Sequence, residues 1–227
     1  MNTEEHKEIE TQGPRVRIAE LQAAPIKENF NVKHLKAIHY YIFQDLPKHG
    51  ITKPMPGVFR DATPEGNDWR KDRSLSEVKN GFSVICYSPM DKGALSHLDQ
   101  TLAGVKPDAL RQLKTPEFVK RLSRLYAELD YVHPFQDGNS RTLRTFTKQL
   151  AKESGYAIDW NRFNQSEHTR NLLYIARDRA VGEIAQKKIS NHDNLRDVVY
   201  CMDRYGKNPS LLDLLQKAIR PMEPPIS

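Results

Sequence analysis

At 227 residues, 38% of them apolar and 28% charged, the chain can build one substantial core beneath a long polar surface. Its net charge of +6 arises from 35 basic and 29 acidic residues that alternate along helical stretches, so a solvated face is expected and a nucleic-acid partner is not. No apolar run approaches a membrane span, the charged first thirty residues do not read as a secretory leader, and two cysteines, Cys86 and Cys201, point to a reducing, cytoplasmic compartment with no membrane partner.

Residues 1–30 are polar, broken by Gly13, Pro14 and Pro25, and read as a tail or loosely packed lead-in. Leu35, Ile38, Ile42 and Leu46 recur at three and four, predicting a helix over 32–46 that Pro47 ends. Between 47 and 93, Pro54, Pro56, Gly57, Pro64 and Gly66 forbid a long helix. Asn80-Gly81 is a hairpin-turn dipeptide, and Phe82 to Tyr87 follows with strand-forming residues. A small β-hairpin beside a helical body is expected, either as a working element or only as cover for the core. Helical periodicity returns over 93–102. Thr115 as a cap, with Pro116 after it, opens a helix that buries Phe118, Leu122, Leu125 and Leu129 as far as Val132. Leu143, Phe146 and Leu150 mark the next helix, stopped at Gly155. Helices over 166–184, 193–204 and 210–219 complete a fold that is mainly α.

The chemistry concentrates between His133 and Arg144. Pro134 restricts His133 to extended conformations, so the preceding helix should stop just before it. Gly138 permits a tight turn, and Asn139 and Ser140 suit a helix start whose free N–H groups attract an anion. Arg141 and Arg144 are three apart, share a helical face, and can fork onto polyphosphate oxygens. Asp137 at the mouth would repel phosphates unless a cation such as Mg²⁺ intervened. His133, across the turn, is placed to accept a proton from an attacking hydroxyl. Each piece also has a plain structural reading: Asp-Gly-Asn-Ser caps helices, paired arginines bridge local acids, and Phe135 anchors the loop in the core. Asn171, Tyr174 and Arg177 share three-residue spacing on a later helix, either facing a nucleotide or forming a solvated edge.

The segment from His133 to Arg144 resembles the signature of the Fic family, His-x-Phe-x-(Asp/Glu)-Gly-Asn-Gly-Arg-x-x-Arg. It matches every defined position but one, Ser140 standing where the family has glycine. Phe30 to His39 resembles the first core helix of Fic proteins, and Pro56-Gly57-Val58-Phe59-Arg60 the element leading into their hairpin. The resemblance implies a Fic-type helical bundle with a hairpin flap, about 74–88, beside the active-site loop. It covers about residues 15–185 and implies a catalytic core over 31–185 and a bacterial protein adenylyltransferase moving AMP from ATP to a Ser, Thr or Tyr hydroxyl of a target protein. Residues 186–227 lie outside the resemblance and read as a C-terminal helical extension, a candidate for docking. His133 would be the general base and Asp137 would hold Mg²⁺. Gly138, Asn139 and the Ser140 backbone would line the anion hole, with Asn139 near the α-phosphate, while Arg141 and Arg144 hold the outer phosphates. Lys79, Gly81, Phe82, Ser83, Val84 and Ile85 would form the flap that pairs with an extended target segment. The family's inhibitory Ser/Thr-x-x-x-Glu-Gly/Asn helix is not found, so restraint by a separate small antitoxin protein is expected. Such a protein acts in the bacterial cytoplasm or is delivered into a host or rival cell. Transfer of another phosphate-containing group and a non-catalytic binding module are the competing readings.

Overall fold

The computed structural model describes residues 3–79 and 81–223, apart from the side chains of residues 3, 5 and 6. In chain order these residues form α1 (Thr3–Ala23), α2 (Val32–Phe43), β1 (Trp69–Ser74), β2 (Phe82–Tyr87), α3 (Lys92–Ala103), α4 (Pro107–Arg111) and α5 (Thr115–Val132). There follow α6 (Asn139–Glu153), β3 (Tyr156–Ile158), α7 (Glu167–Ala185), α8 (His192–Arg204), α9 (Leu211–Ala218) and β4 (Ile219–Pro221).

The apolar spacing of α5 makes it the central helix, burying Phe118, Leu122, Tyr126, Leu129 and Val132 against α3, α6, α7 and α9. Its cap is Lys114, one residue before the expected Thr115, with the Glu117 carboxylate accepting the Lys114 N–H at 3.2 Å. Asn31 caps α2 by accepting the His34 N–H at 3.0 Å. That helix stops at Phe43, and Leu46 and Pro47 fall in a short 3-10 turn instead.

One segment differs from expectation. The polar lead-in is largely the 21-residue helix α1, packed on α2 and α6. Leu21 is buried there and Arg17 pairs with Asp45 at 2.7 Å. Tertiary contacts outweigh the breakers Gly13 and Pro14. Between residues 192 and 221 the chain packs on the rest of the fold: α8 lies on β2, α9 lies on α5 and α7, and β4 pairs antiparallel with β3.

The hairpin is longer than its turn dipeptide implied. Trp69–Ser74 pairs antiparallel with Phe82–Tyr87, Lys71 opposite Ile85, and the connection spans seven residues. Asn80 lies outside the described residues, while Gly81 takes φ +74° and accepts the Leu75 N–H at 2.9 Å. Strand alternation divides the ribbon into two faces. Val84 and Cys86 face Val198, Cys201 and Tyr205, whereas Ile85 and Tyr87 pack with Tyr131 and Val181. Lys71 and Arg73, in register with Ile85 and Ser83, share the second face, which looks into the body.

Candidate active site

His133 ends α5 in the left-handed region, φ +47° and ψ +58°, and not in the extended conformation expected. Proline disfavours the right-handed well for its predecessor, and the left-handed well closes the helix with the His133 N–H on Leu129 O at 3.2 Å. Arg60 fixes this corner from beneath: Nε donates to His133 O at 2.9 Å and Nη2 to Ser88 O, while its guanidinium stacks 4.0 Å from the Trp69 ring. Burial lowers the Arg60 pKa to about 10, still leaving it charged at neutral pH.

The imidazole is enclosed. His133 is 4% exposed, stacked on Tyr87 at 3.8 Å between ring centres. Nδ1 sits 3.6 Å from Asp130 Oδ1, and Nε2 is 3.2 Å from Lys71 Nζ. Burial pushes the His133 pKa down to about 4, outweighing the upward pull of Asp130. The ring is therefore neutral near pH 7. With a carboxylate at Nδ1 the proton belongs on that nitrogen, which leaves the Nε2 lone pair as the acceptor. Burial tends to raise the Asp130 pKa, but the Arg177 guanidinium and His133 hold it well below the carboxylate range. Arg177 clasps Asp130 with two 2.9 Å bonds and donates a third, at 3.1 Å, to Ser140 Oγ.

The turn after Phe135 is braced as firmly. Gly138 has φ +77°, and a Cβ there would overlap the Phe43 ring. Asn139 donates to Phe135 O at 2.7 Å and accepts the Phe135 N–H at 3.0 Å. Its side chain is thus spent inside the loop, and its backbone N–H is what remains for an anion. His39 receives the Gly57 N–H on Nδ1 at 2.9 Å, which fixes its proton on Nε2, and that nitrogen donates to Asp137 O at 3.2 Å. The His39 ring stacks on Phe135 at 3.7 Å, and its pKa is lowered to about 4, chiefly by burial. Among the described residues, no side chain caps the first N–H groups of α6. Arg141 and Arg144 line a cavity of about 580 Å³ together with Arg15, Lys148, Arg170 and Tyr174. Such a volume is ordinary for a small-molecule site.

A model of the Fic/DOC family matches residues 29–151, more than half of the chain. The chain belongs to that family. Protein adenylyltransferase VbhT of Bartonella schoenbuchensis is 32% identical over 163 residues, covering 71% of this Fic chain and 29% of that protein. A protein adenylyltransferase of Bartonella henselae is 26% identical over 194 residues, 83% of this chain and 34% of its own length. The chain thus spans about a third of the length of these two relatives. Among solved structures, BepC of Bartonella tribocorum, a VirB-translocated effector with bound AMPPNP, superposes with a TM-score of 0.64 at 15% identity. That superposition covers 98% of this chain and 90% of BepC, and at such identity it speaks for the fold.

Within this Fic chain the expected site residues divide. Arg141 and Arg144 line the cavity, whose lining includes none of His133, Gly138, Asn139 and Ser140. Asp137 is exposed, with its carboxylate 3.3 Å from Arg141 Nη2. Tyr174 lines the cavity beneath the Arg73 guanidinium, 4.9 Å from its ring, whereas Asn171 is buried within hydrogen-bonding reach of Glu77. Arg177 is buried on Asp130 and is not free for a nucleotide. On the flap, Lys79, Gly81 and Phe82 are exposed, but Ser83, Val84 and Ile85 are buried, because α7 and α8 cover both faces of β2. The outer strand β1 carries the exposed residues Arg70, Asp72 and Ser74 instead. Asp130 and Lys71 escaped the sequence reading, and His39 and Arg60 entered it only within segments that resemble the family, without a role of their own. Asp130 alone left a signal, one helical turn before His133.

Proposed function

We propose that this chain is a protein adenylyltransferase that moves AMP from ATP to a Ser, Thr or Tyr hydroxyl of a target protein. The observation that carries the reading is the neutral His133 imidazole, its Nδ1 facing the buried Asp130 carboxylate, one turn from an open helix N-terminus flanked by Arg141 and Arg144. The names of the relatives support the same chemistry.

The target oxygen bonds to the α-phosphorus while His133 Nε2 takes its proton. The bond from that phosphorus to the bridging oxygen breaks, and pyrophosphate leaves with the electron pair. Backbone N–H groups at Gly138, Asn139 and Ser140 face the phosphate charge, and Arg141 and Arg144 hold the outer phosphates in line. Asp137 fits Mg²⁺: it is an exposed single carboxylate, and the described residues include no cluster of three acidic, histidine or cysteine groups that would cage a metal by themselves. Bound there, the ion would neutralise charge on the departing phosphates. Because Ser140 Oγ turns inward to Arg177, its side chain leaves the backbone donors of the turn uncovered. The core of this activity lies in residues 31–185, and β1 offers the edge against which an extended target segment pairs. A small protein acting in trans is the restraint we infer.

Incubation with Mg²⁺ and ATP labelled at either the α- or the γ-phosphate, followed by mass spectrometry of labelled proteins, tests the reading. Label from the α position alone, lost in His133→Ala, is expected. Label from γ would indicate phosphate transfer, and label from neither a binding module.

A further inference from the structure

Lys71 stands where the reaction needs an open space. Its ammonium lies 3.2 Å from His133 Nε2, the nitrogen that has to receive the hydroxyl proton. Asp130 lies 3.6 Å from the other ring nitrogen, Tyr87 covers one face of the ring, and the residue as a whole is almost fully buried. In this arrangement neither water nor a target oxygen reaches the base without moving Lys71.

The neighbouring inward residue of the same strand shows how differently Lys71 is held. Arg73 is anchored twice, by Asp178 at 3.2 Å and by the Tyr87 hydroxyl at 2.9 Å. Lys71 has no carboxylate within 4 Å among the described residues, and the imidazole is its one hydrogen-bond acceptor there. A half-buried ammonium whose one acceptor is neutral, and whose other contact is the Tyr87 ring 5.8 Å away, is readily displaced. It also sits on β1, the outer strand of the hairpin, where an incoming extended segment would pair.

We propose that Lys71 is a gate on the general base: its ammonium masks His133 Nε2 at rest and is drawn aside when an extended target segment docks on β1. The gate rests on the reading of His133 as the base. Its chemical purpose follows from the reaction. A base left open beside bound ATP would activate water as well as it activates an alcohol. Water would bond to the α-phosphorus, the bond to the bridging oxygen would break, and AMP and pyrophosphate would be released with no target modified. Coupling access to strand docking restricts proton transfer to occasions when a hydroxyl is present.

Reaction of His133 with diethyl pyrocarbonate reads the gate directly, because the reagent attacks an unprotonated, accessible ring nitrogen. It is carried out on the folded chain without nucleotide and quantified by peptide mapping. The His133 rate in Lys71→Ala should exceed that of the unaltered chain about tenfold, the change that follows from removing one charge-assisted hydrogen bond. Lys71→Met, which keeps the stem against Tyr87, should behave like Lys71→Ala, and Lys71→Arg should restore the slow rate. Target-free release of AMP from ATP should rise in the same two open variants. An unchanged His133 rate in both Lys71→Ala and Lys71→Met overturns the gate, and so does a Lys71→Arg rate as fast as theirs. The labelling involves no transfer, so it separates the two ideas. AMP transfer by a chain whose His133 is freely modified removes the gate alone, whereas a masked His133 in a chain that transfers nothing removes the adenylyltransferase reading alone.

Discussion

Asp130 is the residue on which the corner balances. Its carboxylate lies against Nδ1 of His133 and takes two bonds from Arg177, both partners being almost fully buried. Arg177→Ala would strand that carboxylate, at a cost of about 3–5 kcal/mol, to be measured by urea unfolding. Asp130→Asn keeps the shape but loses the charge that favours the Nδ1–H tautomer, so AMP transfer should fall roughly 10²-fold or more. Nitrogen NMR of His133 should show the proton shared between tautomers; a retained Nδ1–H form would deny Asp130 this role. Gly138→Ala forces a Cβ into the Phe43 ring at a positive φ, and about 2–3 kcal/mol should be lost. Phe43→Leu in the same chain should recover part of it. Gly138 was legible in the sequence as a turn, but its collision partner, ninety-five positions away, was not.

Among the elements, the hairpin depends on its neighbours. A two-stranded ribbon is marginal alone in water, and here β2 is held between α7 and α8. Removing residues after 190 would strip Val198, Cys201 and Tyr205 from the outer face of β2. The β2 amides should then exchange with solvent far faster by hydrogen-exchange mass spectrometry; unchanged protection would show that α7 suffices. This packing explains why β1, more than β2, carries the exposed side chains of the flap. Phe82 to Tyr87 reads as a strand with a strong β pattern, but a pattern cannot say which strand is the outer one. The more polar β1, with Arg70, Asp72 and Ser74 outward, escaped notice because its alternation is of charged residues and not of apolar ones.

For the molecule as a whole, buried histidines set the response to acid. His39 and His133 are both lowered from 6.5 to about 4 by burial, so the folded chain keeps them neutral while the unfolded chain protonates them below pH 6.5. Folded pKa values beneath unfolded ones mean that this stability is fully present above pH 6.5 and is lost as pH falls towards 4. Unfolding free energy should therefore decline through that window, and His39→Gln with His133→Asn should flatten the decline. A slope unaffected by both changes would place the protonation elsewhere. No helix among the described residues is long and apolar enough to cross a membrane.

The sequence by itself determined what depends on near neighbours. Periodicity drew α2, α5, α6 and α7 to within a few residues, and the run from His133 to Arg144 carried its turn, its helix start and its paired arginines in local order. Tertiary structure alone decided which groups converge from afar. Lys71 meets His133 across sixty-two positions, and His39 grips Asp137 across ninety-eight. It also turned the polar segment before residue 24 into a packed helix. Spacing along the chain fixes which side chains share a face, but what that face meets is settled only when the core closes and buries it.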